Sequence, residues 1–357
     1  MENKKLNVII AASGTGGHIY PGIAIAREFK ERGYNPVFFV SGNAASAEII
    51  KNSGFEYAVF KISGLPKIFS FGFIKFCVQM PLCFFKALIR ISNIKPVAVI
   101  GTGGYMSVPV IFAAKILGKK TFIHEQNVIP GKANRFLNGA VDKTFISFKS
   151  SDIYFKRKNT VFFGYPVRKE IAGVSKKEAC AKFNLDENIF TLLIFGGSLG
   201  AVKLNEIAFS AAELLSLKEK IQVIHITGHK GYEEIKAKAA GKDYYNVYPY
   251  MHDIFDAYAA SCAVICRSGA GTLFELTALN KPAVLVPYPY AADNHQFHNA
   301  KEAEAWGNFI VIEESKLTPE NLLDAVKELR KPRKDTLGGA YKFPQGAIVE
   351  EILKGIK

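Results

Sequence analysis

Val8-Ile9-Ile10-Ala11-Ala12-Ser13-Gly14-Thr15-Gly16-Gly17-His18 is the stretch on which the fold turns. A short unbroken apolar run has the length and composition of a buried strand. Glycines follow at once, and a helical pattern then occupies residues 20–32. A strand that turns tightly through glycine into a helix is the opening unit of a parallel sheet covered by helices. The same order recurs twice. The apolar run 97–100 leads into the glycine-rich 101–109, and 190–195 leads into 196–201. Further strand candidates are 37–40, 57–60, 121–124, 144–146, 222–226, 263–266 and 283–286, with helical patterns such as 108–117 and 204–217 among them. The pattern restarts near Phe190, after the polar, lysine-rich stretch 176–188. It predicts an α/β protein of two doubly wound parallel-sheet domains in tandem. Ligands in such folds sit at the carboxyl ends of strands, so the expected site is a cleft between the domains.

Composition agrees with this size and class. A chain of 357 residues is long enough for two cores. With 49% hydrophobic and 22% charged residues it reads as globular. The formal charge of +14 points to an anionic partner: nucleic acid, acidic lipid headgroups or a phosphorylated substrate. The positive charge is dispersed and no RNA-binding signature is present, which argues against nucleic acid. Five cysteines, at spacings that match neither a zinc site nor a redox pair, fit a reducing compartment. The polar residues 1–7 lead into an apolar run too short for a signal-peptide core. No stretch holds eighteen uninterrupted apolar residues, so no spanning helix is expected.

The glycine turns carry the chemistry. Glycine lets backbone approach a ligand closely, and the helix behind it presents N–H groups and the positive end of its dipole. Two familiar nucleotide motifs are excluded. Ile19 stands where a Gly-x-Gly-x-x-Gly fingerprint needs its last glycine, and no Gly-Lys-Ser/Thr is present. His18, at the mouth of the first turn, can take a proton near neutral pH or merely line the turn. In Gly196-Gly197-Ser198-Leu199-Gly200-Ala201 a hydroxyl stands among backbone donors, which suits a pyrophosphate. Arg267-Ser268-Gly269-Ala270-Gly271-Thr272 opens a helix that carries Glu275. Arg267 can neutralise a phosphate. A carboxylate such as Glu275 can accept from both hydroxyls of a ribose, although the helix dipole alone also favours it there. Asp293-Asn294-His295-Gln296 adds polar groups that could read a sugar.

Residues 65–90 interleave Phe69, Phe71, Phe73, Phe76, Phe84 and Phe85 with Lys67, Lys75, Lys86 and Arg90. Aromatic and cationic side chains in that mixture suit the surface of an anionic bilayer. Pro81 and the internal lysines argue against a span.

Together the motifs resemble the MurG family, the UDP-N-acetylglucosamine–N-acetylmuramyl-(pentapeptide) pyrophosphoryl-undecaprenol N-acetylglucosamine transferases. The matching residues are Ser13-Gly14-Thr15-Gly16-Gly17-His18, Gly103-Gly104-Tyr105-Met106-Ser107-Val108-Pro109, His124-Glu125-Gln126-Asn127, the Gly196–Ala201 loop, Arg267-Ser268-Gly269-Ala270 with Glu275, and His295-Gln296 with Asn299-Ala300. They run in order through nearly the whole chain. The resemblance implies a GT-B fold with an acceptor and membrane domain over 1–163, joined by a C-terminal helix in 341–357, and a UDP-sugar domain over 164–340. It implies inverting transfer of N-acetylglucosamine onto lipid I, with no metal and no cofactor. His18 is the expected base and Glu125 the runner-up, with Thr15, Gly16, Gly17 and Asn127 beside them on the acceptor side. Arg168 and Ser198 are expected at the pyrophosphate, Tyr250 and Met251 at the uracil, and Glu275 at the ribose. Ala270, Gly271, His295 and Gln296 are expected at the sugar and phosphates. The partners implied are UDP-N-acetylglucosamine, lipid I, an anionic membrane surface at its cytoplasmic face and other cell-wall or division proteins. Ser13, Tyr165, Leu199, Gly271 and His295 depart from the family's usual residues, and His295 bears most on the sugar contacts. Other UDP-sugar enzymes of the same architecture, a 2-epimerase or a diacylglycerol glycosyltransferase, are the alternatives.

Overall fold

A computed structural model describes residues 5–14, 16–42, 44–66, 70–197, 200–251, 254–331 and 343–356. The chain forms two compact units, Met1–Arg168 with Phe343–Lys357, and Lys169–Lys342. The division falls after Arg168, five residues beyond the boundary read from the sequence.

Among the described residues the first unit holds seven strands: β1 (Asn7–Ala12), β2 (Asn35–Ser41), β3 (Glu56–Phe60), β4 (Ala98–Gly101), β5 (Lys120–Glu125), β6 (Lys143–Ile146) and β7 (Thr160–Phe162). They lie in the order β3-β2-β1-β4-β5-β6-β7, and every pair is parallel. Its helices are α1 (Gly16–Glu31), α2 (Ala44–Asn52), α3 (Phe71–Ile94), α4 (Ser107–Ile116) and α5 (Lys132–Leu137). The second unit has β8 (Phe190–Phe195), β9 (Ile221–Ile226), β10 (Tyr245–Tyr248), β11 (Ala263–Cys266), β12 (Ala283–Leu285) and β13 (Phe309–Val311), ordered β10-β9-β8-β11-β12-β13 and again parallel. Its helices are α6 (Lys176–Lys182), α7 (Val202–Ser216), α8 (Tyr232–Lys238), α9 (Phe255–Ala260), α10 (Ala270–Ala278), α11 (His295–Glu304) and α12 (Pro319–Leu329). Helix α13 (Gln345–Lys354) returns to the first unit.

Strand β1 shows why its run is apolar throughout. Val8, Ile10 and Ala12 face a core completed by α1 and by Ile348, Val349 and Ile352 of α13. Ile9 and Ala11 face the opposite core, with Cys83, Ala87 and Ile91 of α3 and residues of α4. A parallel strand covered on both faces has no polar side to alternate with. In both sheets the first strand of the unit lies centrally, and the winding reverses beside it, between β1 and β4 and between β8 and β11. At such a reversal the loops leave in opposite directions and open a crevice at the strands' carboxyl ends. The three glycine-rich turns singled out by sequence follow β1, β4 and β8, and the Arg267–Thr272 turn follows β11.

Candidate active site

In the first unit the crevice is built by the turns after β1 and β4 and by the chain leaving β5. His18 lies in the first turn of α1, and its Nδ1 stands 2.8 Å from Oε1 of Gln126. Thr102 Oγ1 donates to the His18 carbonyl at 2.7 Å and so ties the turn after β4 to α1. Gly103 and Gly104 both have positive φ, at 114° and 77°. A Cβ on Gly103 would come within 2.5 Å of His18 Nδ1, and one on Gly104 within 2.0 Å of Ser13 Oγ. Only glycine lets this turn close over His18.

The Glu125 carboxylate, 1% exposed, supports the next loop. Its Oε1 accepts from the amides of Gln126 and Asn127, each at 2.9 Å. Its Oε2 accepts from Asn134 Nδ2 at 2.8 Å and from the Gly131 amide at 3.1 Å. His124, alternate to it on β5, is wholly buried, and burial lowers its pKa to about 4, so it is neutral at physiological pH. Ser151 Oγ donates to the Asn127 carbonyl at 2.9 Å.

In the second unit Gly200, just before α7, is packed equally closely. A Cβ at Gly200, where φ is +76°, would meet the Thr227 carbonyl at 2.5 Å. Asn205 Nδ2 donates to the same carbonyl at 2.8 Å, and Asn205 Oδ1 faces Nε2 of the buried His225 at 3.2 Å. Across the reversal, Ala270 and Gly271 open α10, and Glu275 on that helix accepts from Tyr258 Oη at 3.2 Å. Ser268 Oγ donates to the Gln296 carbonyl at 2.8 Å, and Gln296 Oε1 accepts from the Tyr288 amide at 3.0 Å. The start of α11 is thereby laced to the start of α10. Tyr250 and Met251 follow β10 at its carboxyl end, and the Tyr250 ring stacks on His229 with centroids 6.3 Å apart. Among the described residues no three His, Cys, Asp or Glu side chains are grouped as metal ligands.

Comparison with known proteins reads this pair of crevices. Residues 8–146 match the glycosyltransferase family 28 N-terminal domain, and 191–347 match the C-terminal domain of that family. The UDP-N-acetylglucosamine--N-acetylmuramyl-(pentapeptide) pyrophosphoryl-undecaprenol N-acetylglucosamine transferase of Desulforamulus reducens is 36% identical over 99% of this chain and 98% of its own. The chain belongs to the MurG family. The crystal structure of Acinetobacter baumannii MurG, at 26% identity, superposes with a TM-score of 0.75 over 98% of this chain and 99% of that one. A UDP-GlcNAc 2-epimerase from Neisseria meningitidis, solved bound to UDP-GlcNAc, has the same fold at a TM-score of 0.69 over 98% of this chain and 100% of its own. Its 12% identity carries the likeness no further than architecture. The fold is the GT-B arrangement of two Rossmann-like domains.

Within this MurG frame the expected site residues divide. Gly16, Gly17, His18 and Asn127 lie around the first crevice, and Tyr250, Met251, Ala270, Gly271, Glu275, His295 and Gln296 follow strand ends or open helices of the second unit. Thr15 and Ser198 lie outside the described residues. Three of the expected residues have defined partners within their own units. Glu125 is a buried brace for the 126–134 loop, with both oxygens occupied. Arg267 is buried and committed to its own unit: its guanidinium donates to the carbonyls of Val286 and Pro287, each at 3.2 Å, and pairs with Glu314. It braces the chain leaving β12. Arg168 belongs to the first unit and lies over the Tyr20 ring at 4.1 Å. His295 donates from Nδ1 to the Ala292 carbonyl at 2.7 Å and is half-buried.

Sequence reasoning assigned no role to Gln126, Thr102, Tyr258 or Asn205. Gln126 lay in plain view inside the His124–Asn127 motif, but no spacing rule brings it to His18, 108 residues away.

Proposed function

We propose that this chain transfers N-acetylglucosamine from UDP-N-acetylglucosamine to the C4 hydroxyl of N-acetylmuramic acid in undecaprenyl-pyrophosphoryl-MurNAc-pentapeptide, converting lipid I to lipid II for peptidoglycan. The observation that carries this reading is 36% identity, across 99% of the chain, to a transferase of that name. The reaction is one displacement with inversion. The C4 oxygen forms a bond to the anomeric carbon as the bond from that carbon to the β-phosphate oxygen breaks. The hydroxyl proton passes to the imidazole of His18, and UDP departs. General-base assistance of this kind is worth about 10²–10⁴ in rate. In the second unit Glu275 receives the ribose hydroxyls, Tyr250 and Met251 the uracil, and Gln296 and His295 the sugar. Backbone amides opening α10 face the negative charge that develops on the leaving diphosphate.

The same reading places the first unit on an anionic bilayer at its cytoplasmic face, and α3 supports it. This helix is long and apolar enough to cross a membrane by length and composition. It is nevertheless docked on the sheet through Cys83, Ala87 and Ile91. Its outer side exposes Phe71, Ile74, Val78, Leu82, Phe85 and Ile89, a continuous stripe at helical spacing. A helix held on one side by its own core and apolar on the other fits lying in the interface.

The deciding assay supplies labelled UDP-N-acetylglucosamine and a lipid I analogue without added metal. Labelled disaccharide-lipid is the expected product. Epimerised UDP-sugar formed without any acceptor would overturn the assignment. His18→Ala is expected to lower kcat by about 10² or more, and full turnover at saturating substrates would remove His18 from the base role.

A further inference from the structure

We infer that Gln126 is a positioning residue that holds His18 in its Nδ1–H tautomer, leaving Nε2 as the nitrogen that accepts the acceptor's proton. The inference rests on the reading of His18 as base.

The side chain of Gln126 is buried, 1% exposed, and every contact of its amide has a defined direction. Nε2 lies 2.8 Å from the Thr102 carbonyl and 3.0 Å from the His124 carbonyl. Carbonyl oxygens only accept, so the NH₂ group must lie on that side. Oε1 therefore faces His18, and an amide oxygen also only accepts. The nitrogen 2.8 Å from it, His18 Nδ1, must carry the hydrogen. In a neutral imidazole the other nitrogen then holds the lone pair.

His124 gives the same answer independently. Its Nε2 faces the Gly164 carbonyl at 3.4 Å, and its Nδ1 lies 3.0 Å from Gln126 Nε2. The carbonyl requires a proton on His124 Nε2, so His124 Nδ1 is a lone pair and needs the NH₂ side of Gln126 beside it. Both neighbours of the amide impose one orientation. The bare α-carbon of Gly103 closes over the same His18 nitrogen, since a Cβ there would lie 2.5 Å from it. That nitrogen is therefore packed, and Nε2 is the one left for chemistry.

The choice of a neutral amide has a consequence. When Nε2 has taken the proton, the imidazolium is oriented by a dipole and not by a carboxylate. A full negative charge at this position would stabilise the imidazolium more strongly and retain the proton.

The test uses the full chain with ¹⁵N-labelled histidine. In the unmutated protein the neutral His18 ring is expected to show a protonated Nδ1 and a bare Nε2 by long-range ¹H–¹⁵N correlation. A proton on Nε2 overturns the inference, and this measurement requires no variant. Gln126→Met keeps the apolar volume and removes both the acceptor and the donors. Its expected effect is a fall in kcat of about 10²-fold with an unchanged KM for UDP-N-acetylglucosamine, and a mixed tautomer at His18. Wild-type kcat in folded Gln126→Met overturns the positioning role. If His18→Ala keeps full turnover while the wild-type spectrum shows Nδ1–H, it is the base assignment that fails and the tautomer lock that survives.

Discussion

His18 and Glu125 adjoin the same crevice and differ in what surrounds them. The imidazole of His18 is half-buried and bonded at one nitrogen, whereas the carboxylate of Glu125 is enclosed and occupied at both oxygens. A carboxylate that accepts from Gln126, Asn127, Gly131 and Asn134 organises a loop and has little capacity left to receive a substrate proton. Glu125→Gln therefore turns one acceptor into a donor facing other donors. The expected cost is about 2 kcal/mol or more in unfolding free energy, since a buried donor left without an acceptor loses its full solvation. The denaturant midpoint is the measurement. A variant with unchanged stability and abolished turnover would restore Glu125 to the chemistry.

Among the elements, α3 carries the proposed membrane face. Pro81 lies inside it, yet the helix is continuous from Phe71 to Ile94. Docking of Cys83, Ala87 and Ile91 against the sheet supports the turns that follow the proline. The Nζ of Lys86 donates to the Val59 carbonyl at 2.8 Å and lies over the Phe60 ring, which pins the helix to edge strand β3. The outward apolar residues make no such contribution, so they can be changed without loss of fold. The double variant Leu82→Glu with Phe85→Glu is expected to melt like the parent. Its partition onto vesicles containing acidic lipid should weaken about 10²-fold, because each large apolar side chain moved out of water contributes roughly 1.5–3 kcal/mol. Unaltered binding in a flotation assay would show that another surface holds the membrane.

At the scale of the whole molecule, each unit carries a histidine sealed in its core. Burial lowers His124 in the first unit to about 4 and His225 in the second to about 3. Unfolded, each would take a proton near pH 6.5. As the pH falls below 6.5 the unfolded chain binds protons that the native chain refuses, so stability declines from there towards the native values. Each histidine costs about 1.4 kcal/mol per pH unit in that window. At pH 5 the two together are expected to remove about 4 kcal/mol relative to pH 7. Chemical denaturation at the two pH values checks this, and identical midpoints would mean that neither ring is neutral and enclosed in the folded protein.

What the amino-acid order determined by itself was the repeating strand–glycine–helix unit and its restart near Phe190. Both are local: a buried parallel strand must be apolar throughout, and a turn at positive φ must be glycine. The short sheet-edge strands β7, β10 and β13 went unread, because three or four residues are too few to show a period. The division after Arg168 is marked by no change of composition. The partners of the charged and polar groups were decided by tertiary structure alone. Arg267 and Glu125 look like reactive groups in the chain and become braces once Glu314, Val286, Gly131 and Asn134 are brought to them. Gln126 looks incidental and comes to face His18. Whether a polar side chain reaches solvent or is consumed inside depends on neighbours far away in sequence, and a folded backbone is what brings them into range.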